Sequence, residues 1–325
     1  MTDVTPIGLD ALGHVGTGLQ RPECVIATKR GDLYVGDKRG GVTRIAPDGR
    51  TELFVPKPGS LPMTLHPNGI ALERAGSFLI AHLGDDAGGV YRLFRDGRVE
   101  AVLTQLDGAS LPAVNFVLVD AQNRIWVTIS TRKRPRNLGY RKDCDDGFVV
   151  LIDQKGARIV ADHIGFTNEV RLDPAEKELT VVETFGRRLV RFDIGADAEL
   201  SGRRVVAEFG AGVWPDGIAL DQEGAVWVTS VVSNRVLRVT RDGKIHQLLE
   251  DSDPEHLAWV EAAFRAGTMG RAHLDQIKSR TLKSIASIAF GGPDLRTAYL
   301  GNLLGETLPC FKSPVPGLPM AHWEW

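Results

Sequence analysis

The chain has 325 residues, 43% of them hydrophobic, and a formal net charge of −2 at pH 7. A chain of this length buries a large core, either in two ordinary domains or in one large all-β or barrel domain. The near-neutral charge gives no overall attraction to nucleic acid or to anionic lipid, so we expect neither partner.

The cysteines and the N-terminal residues narrow the class of protein further. Cys24, Cys144 and Cys310 are far apart and form no CxxC pair, which disfavours a disulfide framework and a thiolate zinc site. The first residues lack the basic and apolar regions of a signal peptide, and no apolar run approaches the roughly 20 residues of a membrane-spanning helix. We therefore expect a soluble, cytoplasmic protein with reduced thiols.

Six similar segments follow one another along the chain. Each has a polar residue, a short apolar run, a turn with Asp, Gly or Asn, and a second β-rich run. In chain order they are PECVIATKRGDLYVGD, PNGIALERAGSFLIAH, AVNFVLVDAQNRIWVTIS, TNEVRLDPAEKELTVVET, PDGIALDQEGAVWVTS and, less closely, IASIAFGGPDLRTAYLGN. The residue at the start of the first run, named here the lead position, is Glu23, Asn68, Asn115, Asn168, Asp216 and Ala286 in turn.

The spacing of the lead positions predicts the fold. Successive lead positions are 45, 47, 53, 48 and 70 residues apart. Units of this length with short strands and Gly-rich turns are typical of propeller blades, whereas helical repeats need a 3.6-residue apolar period that is absent here. The sequence therefore predicts an all-β fold, a six-bladed β-propeller that occupies residues 1–325 as a single domain.

A basic loop interrupts the third repeat. Residues 131–146, TRKRPRNLGYRKDCDD, contain six basic residues followed by three aspartates. A solvated loop that partly neutralises itself is the first expectation. The alternative is a loop that steers an anionic substrate or a product carboxylate towards the channel.

A helical insertion accounts for the long last interval. Within residues 251–280, Leu257, Val260 and Phe264 have helical spacing, and Asp253 with Pro254 is typical of a helix start. We expect one or two helices packed on the propeller before the last blade. A passive decoration is the first expectation, and a lid or an oligomer contact is the alternative.

The lead positions predict a metal site. Rotational repetition brings equivalent residues of the innermost strands to one height around the axis. A ring of buried oxygens with two carboxylates is costly without a cation. Oxygen ligands favour Ca²⁺ first, with Mg²⁺, Mn²⁺ and Zn²⁺ as alternatives. For Asn68, a role in a turn is as well supported as metal ligation.

Three further residues are candidates for substrate contact. His82 ends the second strand of its repeat, where it contacts substrate or serves as a hydrogen-bonded structural residue. Phe166 and Trp214 precede lead positions and either line the upper pocket or pack in the core. Covalent catalysis is disfavoured because the chain has no GxSxG elbow and no recognisable Cys–His arrangement.

Three segments resemble a known family. RPECV, FTNEVRLDPAEKELTVVET and WPDGIALDQEGAVWVTS are similar to the metal-ligand segments of the SMP-30/gluconolactonase/LRE family of six-bladed propellers, which is related to regucalcin and diisopropyl fluorophosphatase. The resemblance implies one divalent metal held by Glu23, Asn168 and Asp216, with Asn115 as a fourth ligand or a contact to substrate and water. It also implies hydrolysis of a sugar or other lactone, with Asp216 as general base or nucleophile.

The sequence departs from the family at two lead positions. Phe116 follows Asn115 where the family usually has Asp, and Glu169 follows Asn168 where it usually has Gly. Phe116 predicts a more apolar pocket, which makes a smaller or more apolar lactone or ester a credible substrate.

Together these patterns predict a metal-dependent hydrolase that opens a lactone with a polarised carbonyl and an activated water. The alternatives are an ester or phosphotriester hydrolase, and a non-catalytic propeller that binds a ligand and keeps a structural metal. The expected partner is a small lactone or ester, and a monomer and a dimer are both left open. Asp216 is the predicted catalytic residue. The predicted metal ligands and substrate contacts are Glu23, Asn168, Asp216, Asn115, Phe116, His82, Asn68, Phe166 and Trp214.

Overall fold

A computed structural model describes residues 4–84 and 87–325 of the chain. Six antiparallel four-stranded sheets follow one another around a ring, and the first strand of each sheet packs against the first strands of its neighbours. The prediction of a six-bladed β-propeller is confirmed. We number the blades 1 to 6 by their first strands.

Each of the first five blades takes its four strands consecutively from the chain. From the channel outward, blade 1 contains Val25–Ala27, Leu33–Asp37, Gly41–Ile45 and Thr51–Phe54; blade 2 contains Pro67–Leu72, Phe78–His82, Gly89–Leu93 and Val99–Leu103; blade 3 contains Val114–Val119, Ile125–Ile129, Gly147–Asp153 and Gly156–Ile164. Blade 4 contains Thr167–Leu172, Glu178–Glu183, Arg188–Ile194 and Leu200–Glu208; blade 5 contains Trp214–Leu220, Val226–Val231, Arg235–Val239 and Ile245–Glu250. A short hairpin, Gln105–Leu106 with Ala109–Ser110, precedes blade 3.

Blade 6 is assembled from both ends of the chain. Its inner strands are Ile285–Gly291, Thr297–Asn302 and Leu308–Lys312. The outer strand is Gly13–Val15, which pairs antiparallel with Leu308–Lys312. The N-terminal strand therefore closes the ring, a connection that the sequence repeats did not predict.

Blades 3 and 5 stabilise their first turn in the same way. Asp120 accepts hydrogen bonds from the backbone N–H groups two and four residues later and from Trp126 Nε1, each at 2.9 Å. Asp221 makes the same three kinds of hydrogen bond, with Trp227 Nε1 at 2.9 Å. This shared arrangement is the physical basis of the matching segments VDAQNRIW and LDQEGAVW.

A bulge re-aims the lead residue in five blades. The pairing of the first and second strands shifts register at Asn68, Asn115, Asn168, Asp216 and Ala286. An extra residue in one strand bends it and changes the direction of a side chain. In blade 1, Glu23 instead precedes its strand, Val25–Ala27.

The insertion contains two α-helices, Pro254–Arg265 and Ala272–Asp275, as its sequence predicted. Asp253 caps the first of them by accepting a hydrogen bond from the His256 backbone N–H at 2.7 Å. Two short 3₁₀ helices, Leu9–Ala11 and Arg136–Gly139, complete the structure. Over the residues described, no helix has the length and apolarity needed to cross a membrane.

Candidate active site

Four lead residues meet at the channel in one chain of hydrogen bonds. Asn68 Nδ2 donates to Asn115 Oδ1 at 2.6 Å, and Asn115 Nδ2 donates to Asn168 Oδ1 at 2.7 Å. Asn168 Nδ2 donates in turn to Asp216 Oδ1 and to Thr184 Oγ1. Every amide thus points its donor towards the next blade, and the series ends on the Asp216 carboxylate.

Glu23 lies beside this chain and carries an unsatisfied oxygen. Glu23 Oε2 is in contact with the guanidinium of Arg21, yet it is buried without a partner in hydrogen-bond geometry. Arg21 also donates to Asn68 Oδ1 at 3.0 Å. Glu23 is therefore a buried carboxylate that is ion-paired with Arg21 and accepts no well-directed hydrogen bond at Oε2.

The residue two positions before the lead residue has the same strained backbone in three blades. Arg21, Phe166 and Ser284 have φ values of 52°, 63° and 60°. A left-handed conformation is costly for residues with a side chain and is retained where the surroundings require it. Here it turns the chain sharply just before the lead residue enters the channel.

Burial and repulsion between carboxylates dominate the electrostatics of Asp216. Burial raises the pKa of Asp216 well above its usual value, and the nearby charges of Glu23 and Glu169 raise it further. Arg136 and the hydrogen bond from Asn168 oppose that rise in pKa. A carboxylate in this position is a stronger proton acceptor than an exposed aspartate.

Glu169 is a second carboxylate with an altered pKa in the channel. Burial raises its pKa to about 7, although the Arg171 guanidinium opposes the shift. Glu169 pairs with Arg171 at 2.8 Å and accepts a hydrogen bond from the Ile218 backbone N–H at 3.1 Å. It thus joins blade 4 to blade 5 below the lead residues.

A small cavity of about 40 Å³ lies above the lead residues. Its polar lining includes Glu23, Asn115, Asn168 and Asp216. The basic loop contributes Arg136 and Tyr140 to the wall, and the insertion contributes Arg271 and Leu274. The insertion is therefore part of the wall of the site.

The structure brings some of the predicted substrate contacts to this cavity and places others elsewhere. Phe166 lines it, and Asn68 reaches it through Asn115. Trp214 is fully buried in the aromatic cluster under the insertion. His82 is buried in blade 2, where its Nδ1 accepts a hydrogen bond from the His66 backbone N–H at 2.8 Å.

Phe116 lies in a different part of the channel. It lines a cavity of about 350 Å³ whose wall includes Arg171 and the C-terminal residues 318–323. The predicted apolar effect of Phe116 on the substrate pocket therefore has no support from its position, because the side chain alternates away from Asn115 along the strand.

Nine residues of the cavity wall were not named as site candidates from the sequence: Arg21, Arg136, Tyr140, Thr184, Phe185, Val231, Arg271, Leu274 and Leu303. The available signals were the basic loop, which contains Arg136 and Tyr140, and the helical insertion, which contains Arg271 and Leu274. Arg21 stands two residues before Glu23 in RPECV, and nothing in the repeat marks it as functional.

The donor set fits a hard divalent cation. Among residues 4–84 and 87–325, no group of three or more His, Cys, Asp or Glu side chains is placed to hold a metal. The set consists instead of two carboxylates and amide oxygens, which are ligands suited to Ca²⁺ or Mg²⁺. The repulsion between Glu23 and Asp216 would be relieved by a positive ion.

The chain is similar to known lactonases and to propellers of the same kind. It is 26% identical to 6-deoxy-6-sulfogluconolactonase from Pseudomonas putida over 195 residues, which are 59% of this chain and 55% of that protein. The chain spans about half the length, or less, of the curated relatives that it matches.

Two solved structures share the fold over most of their length. A gluconolactonase from Xanthomonas campestris has a TM-score of 0.64 and 19% identity, covering 93% of this chain and 88% of that one. Regucalcin from Agrobacterium tumefaciens, described as a calcium-binding protein, has a TM-score of 0.67 and 16% identity over 100% of both chains. The family model for the SMP-30/Gluconolactonase/LRE-like region matches residues 21–251. The resemblance predicted from the sequence is confirmed, and the chain belongs to this family.

Proposed function

We propose that the protein is a hydrolase that opens a lactone at the cavity above the lead residues. The observation that carries the proposal is the Asp216 carboxylate, which is buried in the cavity floor and ends the amide chain. A cysteine nucleophile has no comparable support. Cys24 lines the other cavity, and burial raises the pKa of its thiol, which keeps the thiol protonated.

In the proposed reaction a water oxygen attacks the lactone carbonyl carbon, and Asp216 accepts the proton from that water. The ring C–O bond breaks, the ring oxygen takes up the proton that Asp216 accepted, and a hydroxy acid leaves. Asn168 holds the Asp216 carboxylate in place, because it donates to Asp216 and is itself held by Asn115. The rings of Phe166 and Phe185 limit the access of bulk water.

Glu23, Asn168, Asp216 and Asn115 would hold the divalent cation, with Ca²⁺ as the first expectation. A bound cation would supply Lewis acidity for the lactone carbonyl. We expect Asn68 to act as a link between Arg21 and Asn115 and not as a ligand, since it makes hydrogen bonds to both.

The substrate we propose is a sugar lactone. The name of the Pseudomonas putida relative specifies a gluconolactone that carries a sulfo group, and the Xanthomonas campestris protein is named a gluconolactonase. Arg21, Arg136 and Arg271 give the cavity wall donors for a polar substrate. These arginines favour a sugar lactone over a smaller, more apolar one.

The test is acid release from a panel of sugar lactones, aliphatic lactones, aryl esters and aryl phosphotriesters, with and without chelator. Asp216→Asn should lower kcat/KM for lactones by about 10³, the order expected for loss of a general base. Glu23→Gln should lower metal retention and activity together. The matched control is Asp107→Asn, which makes the same change at the exposed tip of the hairpin before blade 3.

The outcomes separate the alternatives. Turnover of lactones that chelator does not reduce would remove the metal from the proposal. Turnover of phosphotriesters alone would show that the protein is a phosphotriester hydrolase and not a lactonase. Full activity in Asp216→Asn would show that the catalytic residue is misassigned.

A further inference from the structure

We propose that Arg136 binds an anionic substituent of the substrate, so that the preferred lactone carries a phosphate, sulfonate or carboxylate group at a distance from its ring ester. The inference rests on the proposed lactonase function and specifies the substrate class of the same cavity.

The first observation is the charge balance of the cavity wall. Three arginines line the cavity, and two of them have carboxylate partners. Arg21 is in contact with Glu23, and Arg271 donates to Asp275 at 2.9 Å. Arg136 is the arginine of this wall that is in direct contact with no carboxylate among the residues described. Its charge acts on Asp216 without an ion pair, so its guanidinium can contact an anion of the substrate.

The second observation is the unused hydrogen-bonding capacity of Arg136. One terminal nitrogen donates to two neutral acceptors, Asn115 Oδ1 and Ser130 Oγ, each at 3.1 Å. Its Nε is buried and has no hydrogen-bond partner. A buried donor without an acceptor costs free energy, and an oxyanion supplied by the substrate would satisfy it.

The third observation is the way in which the basic loop is built. Arg132 pairs with Asp162 at 2.8 Å, and Arg141 pairs with Asp143 at 2.7 Å. Arg134 donates to the backbone oxygen of Ser110 at 2.6 Å. These arginines fasten the loop to itself and to its neighbours, whereas Arg136 lines the cavity. The contacts of these arginines thus hold the loop in a position that places the Arg136 guanidinium at the cavity, so the loop is not only a solvated basic stretch.

Aromatic packing fixes the direction of that guanidinium. Its carbon lies 4.9 Å from the centroid of the Phe166 ring, and Phe166 packs edge-to-face with Tyr140 at 5.4 Å. A guanidinium held in one plane matches the paired oxygens of carboxylate, sulfonate and phosphate groups. Arg136 contacts Asn115. In the hydrogen-bond chain, Asn168 lies between Asn115 and Asp216. Arg136 and Asp216 therefore contact different members of that chain.

The experiment compares one lactone ring with and without an anionic group. We would measure kcat/KM for glucono-1,5-lactone, its 6-phosphate, its 6-deoxy-6-sulfo derivative and the monolactone of glucaric acid. The wild type should prefer at least one anionic lactone to the neutral lactone by about 10-fold or more. Arg136→Gln should lower this preference by roughly 10- to 100-fold, the range for a lost charge-assisted hydrogen bond. The three anions show which group the site accepts.

Two variants complete the comparison. Arg136→Lys keeps the charge without the paired donors and should restore part of the preference. Lys142→Gln removes one positive charge from an exposed position of the same loop and should keep the wild-type preference, which separates direct contact from long-range attraction. An equal loss on neutral and anionic lactones in Arg136→Gln would overturn the inference and assign Arg136 to the reacting ester.

A binding measurement distinguishes failure of this inference from failure of the proposed function. Titration calorimetry with glucose 6-phosphate, glucose 6-sulfate and glucose uses probes that have no lactone to open. If no lactone is hydrolysed, the lactonase proposal fails, but tighter binding of a charged probe that Arg136→Gln abolishes would still support the anion site. Equal binding of charged and neutral probes by the wild type would overturn it.

Discussion

Gly69 and Gly217 follow the lead residues of blades 2 and 5 and lie against the backbone of the next blade. A Cβ atom on Gly217 would lie 2.4 Å from both the Ala286 carbonyl oxygen and Ser287 Cα. A Cβ atom on Gly69 would lie 2.7 Å from the Cα of the residue after Asn115. Side-chain carbons do not approach backbone atoms this closely. The repeated Asn-Gly and Asp-Gly pairs therefore allow close packing between blades at the position that aims the lead residue.

Gly217→Ala tests this reading of the repeat. The added methyl group must push apart the first strands of blades 5 and 6, and overpacking of this kind costs about 3 kcal/mol. Since Asp216 precedes the affected residue, lactone hydrolysis should fall as well. Urea denaturation and the acid-release assay measure the two effects. The matched control is Gly210→Ala, because a Cβ atom on Gly210 meets nothing within 4 Å. Equal stability of the two variants would contradict the reading.

Repetition decides which site residues can be predicted from the sequence. Asn115, Asn168 and Asp216 occupy the same place in successive repeats, so a prediction of the fold also predicts that they meet. Arg136 and Arg271 come from a loop and an insertion that occur once, and no periodicity indicates where such segments fold back. Phe116 shows a second limit, because sequence proximity to Asn115 does not reveal that the two side chains face different cavities.

At the scale of elements, the sequence of the insertion predicts its helix but not where that helix packs. Apolar spacing and the Asp253-Pro254 start predict its first helix, but its docking depends on distant partners. Glu261 on this helix pairs with Arg187 of blade 4 at 2.7 Å, and Phe264 packs edge-to-face with Trp214 at 6.0 Å.

The cavity below the insertion measures about 40 Å³, whereas small-molecule pockets measure roughly 300–1,000 Å³. The proposed sugar lactone would therefore need the insertion or the basic loop to move before it could reach Asp216.

The C-terminal segment closes the opposite end of the channel. Leu318 N–H donates to the Leu220 carbonyl of blade 5 at 2.8 Å, and the Trp323 carbonyl accepts a hydrogen bond from the Lys29 N–H of blade 1 at 2.9 Å. Between these anchors, His322 lines the larger cavity. Burial and the charge of Arg171 lower the pKa of His322 to about 4.

This shift predicts how stability depends on pH. The unfolded chain binds a proton at His322 near pH 6.5, whereas the folded protein resists it down to about pH 4. The free energy of unfolding should therefore fall as pH drops through this window. Between about pH 7.5 and pH 5, the loss due to His322 should be roughly 1–2 kcal/mol, discounted for the partial exposure of the side chain.

His322→Gln removes the titrating group and should reduce the loss of stability between these two pH values by that amount. Urea unfolding of the wild type and the variant at both pH values measures it. His246→Gln, on the outer strand of blade 5, is the matched control and should keep the wild-type pH dependence. If His322→Gln loses as much stability as the wild type on acidification, the C-terminal segment does not exclude the proton.

At the scale of the whole molecule, the repeats predict the number of blades but not how the ring closes. Gly13–Val15 has three residues and no counterpart in the pattern of the other blades. Its role depends on pairing with Leu308–Lys312, almost the full length of the chain away. Each blade ends in an edge strand, and on blade 6 this edge is the short strand Gly13–Val15. Loss of this strand would expose the longer strand Leu308–Lys312 as the edge.

Two N-terminal deletions isolate the contribution of ring closure. Deletion of residues 1–11 and deletion of residues 1–15 remove the same buried Val4, but only the longer one removes the closing strand. Because ladder hydrogen bonds contribute about 1 kcal/mol each, the longer deletion should lower the free energy of unfolding by roughly 3 kcal/mol more than the shorter one. It should also promote self-association, because the exposed backbone of Leu308–Lys312 can pair with another chain. Urea denaturation and sedimentation measure the two effects. The opposite result is that the two deletion variants unfold at the same urea concentration and remain in the same association state. That result would show that the packing of neighbouring blades holds the ring together without the N-terminal strand.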